Sequence, residues 1–165
     1  MLVSQKKPCQ VLEIGFGSGA SGAFLADCLP ANGSIISLER DLNRFNRGRA
    51  LLSHFKLDQI KLLHKDALLY LKNEADSMFD FIFLDAVKRE YIDYIPLVKK
   101  RLNPGGLLVT DNILFNGKIV EEQPDKKYVN GLCLLKEFNK TLAHDPDFST
   151  TFLETGDGMA LSVKV

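Results

Sequence analysis

The sequence predicts an α/β fold: a Rossmann-like, mostly parallel sheet with helices on both faces and an antiparallel hairpin at the C-terminus. Three observations lead to this prediction. Short apolar segments alternate with helical segments from residue 9 to residue 110, a glycine-rich segment joins the first strand to the first helix, and two strand-like segments flank the turn Thr155–Gly158. Strict alternation of strand and helix calls for a parallel sheet covered on both sides. We expect all 165 residues to form one domain.

The predicted strands are short apolar runs of four to six residues bounded by turn residues. In order, they are Cys9–Ile14, Ser34–Leu38, Gln59–Leu63, Phe79–Leu84, Leu107–Thr110, Phe148–Leu153 and Met159–Val163. The fourth is almost wholly apolar, as a strand buried on both faces should be. Because the last two flank a Gly-Asp-Gly turn, we expect at least one of them to run antiparallel to the others.

The predicted helices fill the intervals between the strands. They are Ala20–Leu29, Leu42–Phe55, Ala67–Asn73, Tyr91–Leu102 and Lys127–Ala143. Pro30 ends the first of these, and the second has apolar residues on one face. The segment Asn103–Gly106 after the fourth predicts a turn.

Composition excludes several classes of protein. With 21 basic and 21 acidic residues the formal net charge is zero, which disfavours a globally basic nucleic-acid-binding protein. The three cysteines lie far apart without zinc-like spacing, which is typical of reduced thiols in a cytoplasmic protein. No apolar run approaches the roughly 18 residues of a membrane span, so we expect no membrane association.

The glycine-rich turn after the first strand predicts a cofactor site. Gly15, Gly17 and Gly19 allow tight backbone angles and close approach of a ligand at the carboxyl edge of the sheet. Together with Ala20, the segment also matches the pattern of dinucleotide-binding proteins, so a nicotinamide enzyme is an alternative.

Acidic residues near this turn favour S-adenosylmethionine over a dinucleotide. Glu13 stands two residues before Gly15, where a carboxylate would repel a pyrophosphate but suits the cationic methionyl end. Glu39 follows the second strand, where an acid accepts hydrogen bonds from ribose hydroxyls. Asp66 and Ala67 follow the third strand and could border the adenine, although Asp66 could equally cap a helix.

A second group of polar residues follows the fourth and fifth strands. Asp85 and Lys88 come after one, and Asp111 and Asn112 end the other. The carboxyl ends of parallel strands share one edge of the sheet, so these side chains should converge beside the cofactor. Two carboxylates and an amide form an oxygen site suited to Mg²⁺. A lysine beside this site is a candidate general base.

Three segments resemble the metal-dependent O-methyltransferases, the family of the catechol and caffeoyl-CoA enzymes and their bacterial relatives. These segments are Gln10–Gly19, Phe81–Lys88 and Gly105–Asn112. The resemblance implies a seven-stranded methyltransferase fold and a homodimer.

The same resemblance assigns roles to individual residues. It implies Asp85, Asp111 and Asn112 as metal ligands and Lys88 as the base. It places Glu39 on the ribose, and we expect Asp85 to border the cofactor as well. The remaining residues along the cofactor would be Gly15, Gly17, Ser21 and Ala67.

The acceptor is open at this stage. Vicinal hydroxyls would chelate the metal best, so we expect a catechol-like small molecule. The alternative is a hydroxylated uridine in tRNA, with phosphates held by Arg40, Arg44 and Arg47. Family members usually carry several dozen residues before the first strand, whereas only Met1–Pro8 precede it here. That difference predicts an open pocket in a truncated form, and makes a non-catalytic cofactor-binding module a third hypothesis.

Overall fold

The fold is one seven-stranded sheet with the strand order β3-β2-β1-β4-β5-β7-β6. The structure is a computed structural model that describes residues 2–73, 76–121 and 125–165. Its strands are β1 Gln10–Ile14, β2 Ser34–Glu39, β3 Ile60–His64, β4 Phe79–Leu84, β5 Leu102–Asp111, β6 Phe148–Leu153 and β7 Met159–Lys164. Strands β1 to β5 pair in parallel, and β7 runs antiparallel to both β5 and β6. The predicted fold is therefore confirmed.

Helices cover both faces of the sheet. They are α1 Leu2–Lys6, α2 Ala20–Asp27, α3 Leu42–Phe55, α4 Ala67–Asn73, α5 Tyr91–Arg101 and α6 Val129–His144, with short 3-10 helices at Lys88–Glu90 and Lys118–Val120. One apolar core joins the sheet to α4, α5 and α6, and a second joins it to α1, α2 and α3. In the described residues, no helix is both long and apolar enough to cross a membrane.

The structure departs from the sequence prediction around β5. This strand begins at Leu102 rather than Leu107, so the predicted turn Asn103–Gly106 lies within it. The reason is local bonding, because Leu102 pairs with Phe79 and the Asn103 side chain donates to Asp80 of β4 at 2.8 Å. The register between the two strands shifts by way of this irregular segment. A further difference is α1, which the sequence analysis did not predict.

Candidate active site

A cavity of about 460 Å³ opens at the carboxyl edge of the sheet. The carboxyl ends of β1, β2, β4 and β5 and the segments that follow them supply its walls, as expected for a ligand site in an open α/β fold. Six of the residues predicted to border the cofactor line it: Gly15, Gly17, Ser21, Glu39, Ala67 and Asp85. Asp111, predicted as a metal ligand, lines the same cavity.

The glycine-rich turn is held tightly against the neighbouring strands. The backbone N–H groups of Gly15 and Phe16 both donate to the Leu38 carbonyl, at 3.1 and 3.2 Å. Gly15 has φ +97°, and a Cβ there would lie 2.0 Å from the carbonyl oxygen of Asp85. Only glycine therefore lets the turn approach the loop after β4 so closely. The predicted residue Gly19 precedes α2 at its N-terminus and does not line the cavity.

Beneath the turn, the fully buried Phe16 ring packs against α3. A Cβ at Gly48, in the middle of α3, would lie 2.5 Å from this ring. Glycine at that helical position costs stability but allows the helix to approach the turn. The packing fixes the floor of the cavity, a role that the spacing of the glycines alone did not reveal.

Glu39 ends β2 with a nearly buried carboxylate that lines the cavity. Its Oε2 accepts from the backbone N–H of Gly17 at 3.0 Å, and its Oε1 accepts from that of Asp41 at 2.8 Å. These bonds fix both oxygens in place. Each oxygen keeps further acceptor capacity, so the carboxylate can still accept hydrogen bonds from a ligand.

Glu13 is fully buried and does not line the cavity. Its carboxylate accepts from Ser21 Oγ at 2.6 Å and from Ser37 Oγ at 2.5 Å. Burial raises its pKa to about 7; the two serine bonds oppose that shift, and the charges of Asp85 and Glu39 add to it. Contact with a ligand would therefore pass through Ser21, which does line the cavity.

After β3, the structure separates the two residues predicted to border the adenine. Ala67 lines the cavity, whereas Asp66 does not. The Asp66 carboxylate accepts from the backbone N–H of Leu69 at 3.0 Å, which is an N-cap of α4. Of the two interpretations of Asp66, the geometry matches the helix cap.

Two members of the second predicted group, Asp85 and Asn112, meet at the Lys88 ammonium. Lys88 Nζ donates to Asp85 Oδ1 and to Asn112 Oδ1, each at 2.9 Å, so these two oxygens lie within twice that distance of each other. Asp111 Oδ1 accepts from the backbone N–H of Asn112 at 2.7 Å, and Asn112 has φ +56°. This left-handed conformation, which asparagine tolerates, follows the end of β5 directly.

Tyr91, at the start of α5, is a site residue that the sequence analysis missed. Its ring is fully buried, and its hydroxyl accepts from Lys88 Nζ at 2.7 Å. The same hydroxyl donates to the Asp111 carbonyl at 3.1 Å. Burial raises the pKa of this phenol well above its ordinary value, so it stays protonated. The feature of the sequence that could have indicated this role is that Tyr91 follows Lys88 by three residues, about one helical turn.

The oxygen atoms present fit a hard divalent cation. Asp85, Asp111 and Asn112 offer two carboxylates and an amide carbonyl, the ligand class that Mg²⁺ prefers. Across the described ranges 2–73, 76–121 and 125–165, there is no group of three or more His, Cys, Asp and Glu side chains placed to hold a metal ion. The predicted set contains only two such residues and depends on an asparagine for its third.

Comparison with known proteins identifies the family. The family model described as O-methyltransferase matches residues 1–165. Catechol O-methyltransferase of Niastella koreensis is 33% identical over 93% of this chain and 72% of its own length. Caffeoyl-CoA O-methyltransferase 1 of Eucalyptus globulus is 31% identical over 100% of this chain and 70% of its own length.

A solved structure shows the same architecture. The O-methyltransferase of Bacillus cereus, determined in complex with SAH, superimposes with a TM-score of 0.86 at 26% identity, over 99% of this chain and 77% of its own. The resemblance drawn from three sequence segments is thereby confirmed. The chain belongs to the O-methyltransferase family of S-adenosylmethionine-dependent enzymes.

Proposed function

We propose that this chain transfers a methyl group from S-adenosylmethionine to a hydroxyl oxygen of a catechol-like small molecule held by a divalent metal ion, Mg²⁺. The observation that carries the proposal is that Asp85 and Asp111 line the same cavity as the glycine-rich turn and Glu39. A cofactor in that cavity would lie next to Lys88 and to the side-chain oxygens of Asp85, Asp111 and Asn112, which we call the oxygen cluster.

The cavity has the polar groups that the two ends of the cofactor require. Glu39 would accept hydrogen bonds from the ribose hydroxyls, and Ala67 would border the adenine. At the other end, Ser21 donates to the Glu13 carboxylate. The Ser21 hydroxyl oxygen keeps lone pairs that can accept a hydrogen bond from the methionyl ammonium group of the cofactor. The Bacillus cereus relative bound to SAH supports this cofactor.

The oxygen cluster would hold the metal through Asp85, Asp111 and Asn112. Bound there, cofactor and metal would supply an electrophilic methyl group and a lowered pKa of the acceptor hydroxyl. Beside a bound divalent metal, the charged form of Lys88 would be disfavoured, and the neutral amine would then take the hydroxyl proton at Nζ. Tyr91 would hold that nitrogen in place. The main contribution of these residues is positioning, since transfer in line with the breaking bond requires close alignment of the reactants.

The acceptor class rests on chelation and on the named relatives. Vicinal hydroxyls can occupy two positions on one metal ion, and the Niastella koreensis relative is a catechol O-methyltransferase. The direct test is transfer of a labelled methyl group to catechol, before and after EDTA, with Mg²⁺ then added back. We expect turnover to be lost in EDTA and to be restored when Mg²⁺ is added back. Full turnover in EDTA would remove the metal from the proposal.

A hydroxylated uridine in tRNA is a second candidate acceptor. Arg44 and Arg47 line a shallow depression together with Gly17 and Ser18, beside the cofactor cavity. Arg40, by contrast, is bonded to Glu90. Methylation of undermodified tRNA but not catechol would favour this acceptor. Cofactor binding without turnover on either would favour the non-catalytic module.

A further inference from the structure

Arg40 follows Glu39 at the end of β2, and its guanidinium is bonded across the cavity. Its Nη1 donates to both carboxylate oxygens of Glu90, at 3.0 and 3.1 Å. The same nitrogen lies 3.7 Å from Asp66 Oδ2, beside the start of α4. We call the contact of Arg40 with Glu90 the Arg40–Glu90 bridge.

The bridge joins segments that follow the two neighbours of β1, the strand that carries the glycine-rich turn. In the sheet, β1 lies between β2 and β4. Arg40 follows β2, and Glu90 lies in the 3-10 helix after β4. The contact therefore joins segments that follow the strands on either side of β1, and the glycine-rich turn after β1 lines the same cavity. Both residues line the cavity, and the Glu90 side chain is only 18% exposed.

The bridge belongs to one end of the cavity. Arg40 neighbours Glu39 in the chain, and Arg40 also lies close to Asp66, whose neighbour Ala67 lines the cavity. The buried Tyr94 of α5 lines it too. Asp111 ends β5, which lies on the far side of β4 from β1 and β2. If Glu39 holds the ribose, the bridge lies on the nucleobase side.

We propose that Arg40 covers the adenine of the cofactor and that Glu90, through the Arg40–Glu90 bridge, is the positioning residue that holds Arg40 ready for it. This inference rests on the proposed cofactor. Glu90 acts through Arg40, since its carboxylate anchors the guanidinium at the cavity wall. A guanidinium has a flat, weakly hydrated face that stacks on aromatic rings, whereas a mobile arginine must first be ordered.

The experiment measures affinity by calorimetry for two ligands, S-adenosylhomocysteine and adenosine. Loss of the anchor leaves a long side chain to be immobilised on binding, so Glu90→Ala should weaken both ligands by roughly three- to tenfold. Arg40→Ala should weaken them at least as much. In the double variant, Glu90→Ala should add nothing to the loss caused by Arg40→Ala, because the two residues act as one unit.

Lys99→Ala is the matched control. Lys99 forms a comparable ion pair with Asp145 at 2.8 Å, and neither residue lines the cavity. It should leave both affinities unchanged. Adenosine identifies the end of the ligand that is covered, because it lacks the amino-acid part.

The outcomes separate this inference from the proposed function. If the parent chain binds neither ligand, the proposed cofactor fails and the bridge with it. If the parent binds but Glu90→Ala binds equally well, only the bridge fails. A loss confined to S-adenosylhomocysteine would also overturn it, since the contact would then lie at the methionyl end. Additive losses in the double variant would show that Glu90 does not act through Arg40.

Discussion

Strands β1 and β4 place carboxylates at both edges of the sheet, and the surroundings of these carboxylates differ between the two edges. At the amino edge, Asp80 accepts from the backbone N–H groups of Cys9 and Gln10 at 2.9 and 3.0 Å, and from Asn103. At the carboxyl edge, Glu13 is fully buried and lies in the field of Asp85 and Glu39.

The pKa shifts of the two groups have opposite signs. Burial alone would raise the pKa of Asp80, but its three donors outweigh burial and lower it below the ordinary 3.8. Around Glu13, burial and neighbouring carboxylates outweigh the two serine bonds and raise the pKa to about 7. At the amino edge, the hydrogen bonds to Asp80 favour its charged form and so stabilise the fold. The carboxyl edge concentrates negative charge at a stability cost, as binding sites do.

The largest effect should follow from removing Asp85. Asp85→Ala should abolish metal-dependent methyl transfer, because the site loses a charged oxygen ligand. Stability should change by no more than about 0.5–1 kcal/mol, since the carboxylate is 41% exposed and solvent screens its ion pair with Lys88 from that side.

Activity across a Mg²⁺ titration and unfolding in urea would measure the two effects. Exposed Asp93→Ala, in the first turn of α5, is the control for activity and should leave turnover and its Mg²⁺ dependence unchanged. An Asp85→Ala enzyme with parental turnover would contradict the assignment.

Lys88→Ala should slow turnover by roughly 10²–10⁴-fold, the range for a lost general base. Metal binding should persist, because the proposed oxygen ligands Asp85, Asp111 and Asn112 all remain in the variant. Turnover and Mg²⁺ affinity, measured on the same preparation, test the two statements separately. Parental turnover would exclude Lys88 as the base.

Glu13→Gln should change how stability depends on pH. A carboxyl group whose pKa is raised in the folded state binds protons more readily there than in the unfolded chain. Between pH 4.5 and about 7, its ionisation therefore destabilises the fold as pH rises. The cost reaches about 3 kcal/mol above pH 7, and glutamine does not incur it.

Unfolding in urea at pH 5 and at pH 8 would measure this difference. The stability of Glu13→Gln relative to the parent should improve toward pH 8. Glu137→Gln, at an exposed position of α6, should show no such trend. An identical pH dependence in parent and Glu13→Gln would mean that Glu13 is not titrating in this range.

Sequence pattern was sufficient for the architecture because alternation and apolar periodicity determine which residues can be buried. It also placed Gly15, Glu39, Asp85 and Asp111 at one edge, since parallel strands bring their carboxyl ends together. It could not show that Glu13 is buried and bonded to Ser21, because that arrangement depends on the register of β1 against β2.

Contacts between segments that lie far apart in the chain could likewise not be predicted from the sequence. The Arg40–Glu90 bridge joins residues 50 positions apart. Tyr91 carries a hydroxyl whose role depends on where α5 docks against β5. The extended start of β5 depends on a bond from Asn103 to Asp80, which the propensities of Asn, Pro and Gly do not encode.

The smallest effect, and the one that isolates the amino edge, should follow from Asp80→Asn. The amide keeps one oxygen to accept hydrogen bonds but loses the charge, so we expect a loss of about 1–3 kcal/mol at pH 7. Because the folded-state pKa is lowered, the charged carboxylate stabilises the fold above pH 3.8, and that contribution is lost as pH falls through the lowered value. The parent and Asp80→Asn should therefore converge in acid and differ at neutral pH.

Unfolding in urea at pH 7 and at a series of pH values below 3.8 tests this, with cofactor affinity as the second measurement. Asp80 lies at the start of β4, whereas Asp85 follows its end, so cofactor affinity should be unchanged. A loss of affinity in a folded Asp80→Asn protein would show that the two edges are coupled through β1 and β4. A stability difference that does not shrink as pH falls below 3.8 would show that the hydrogen-bond geometry, and not the charge, makes the contribution.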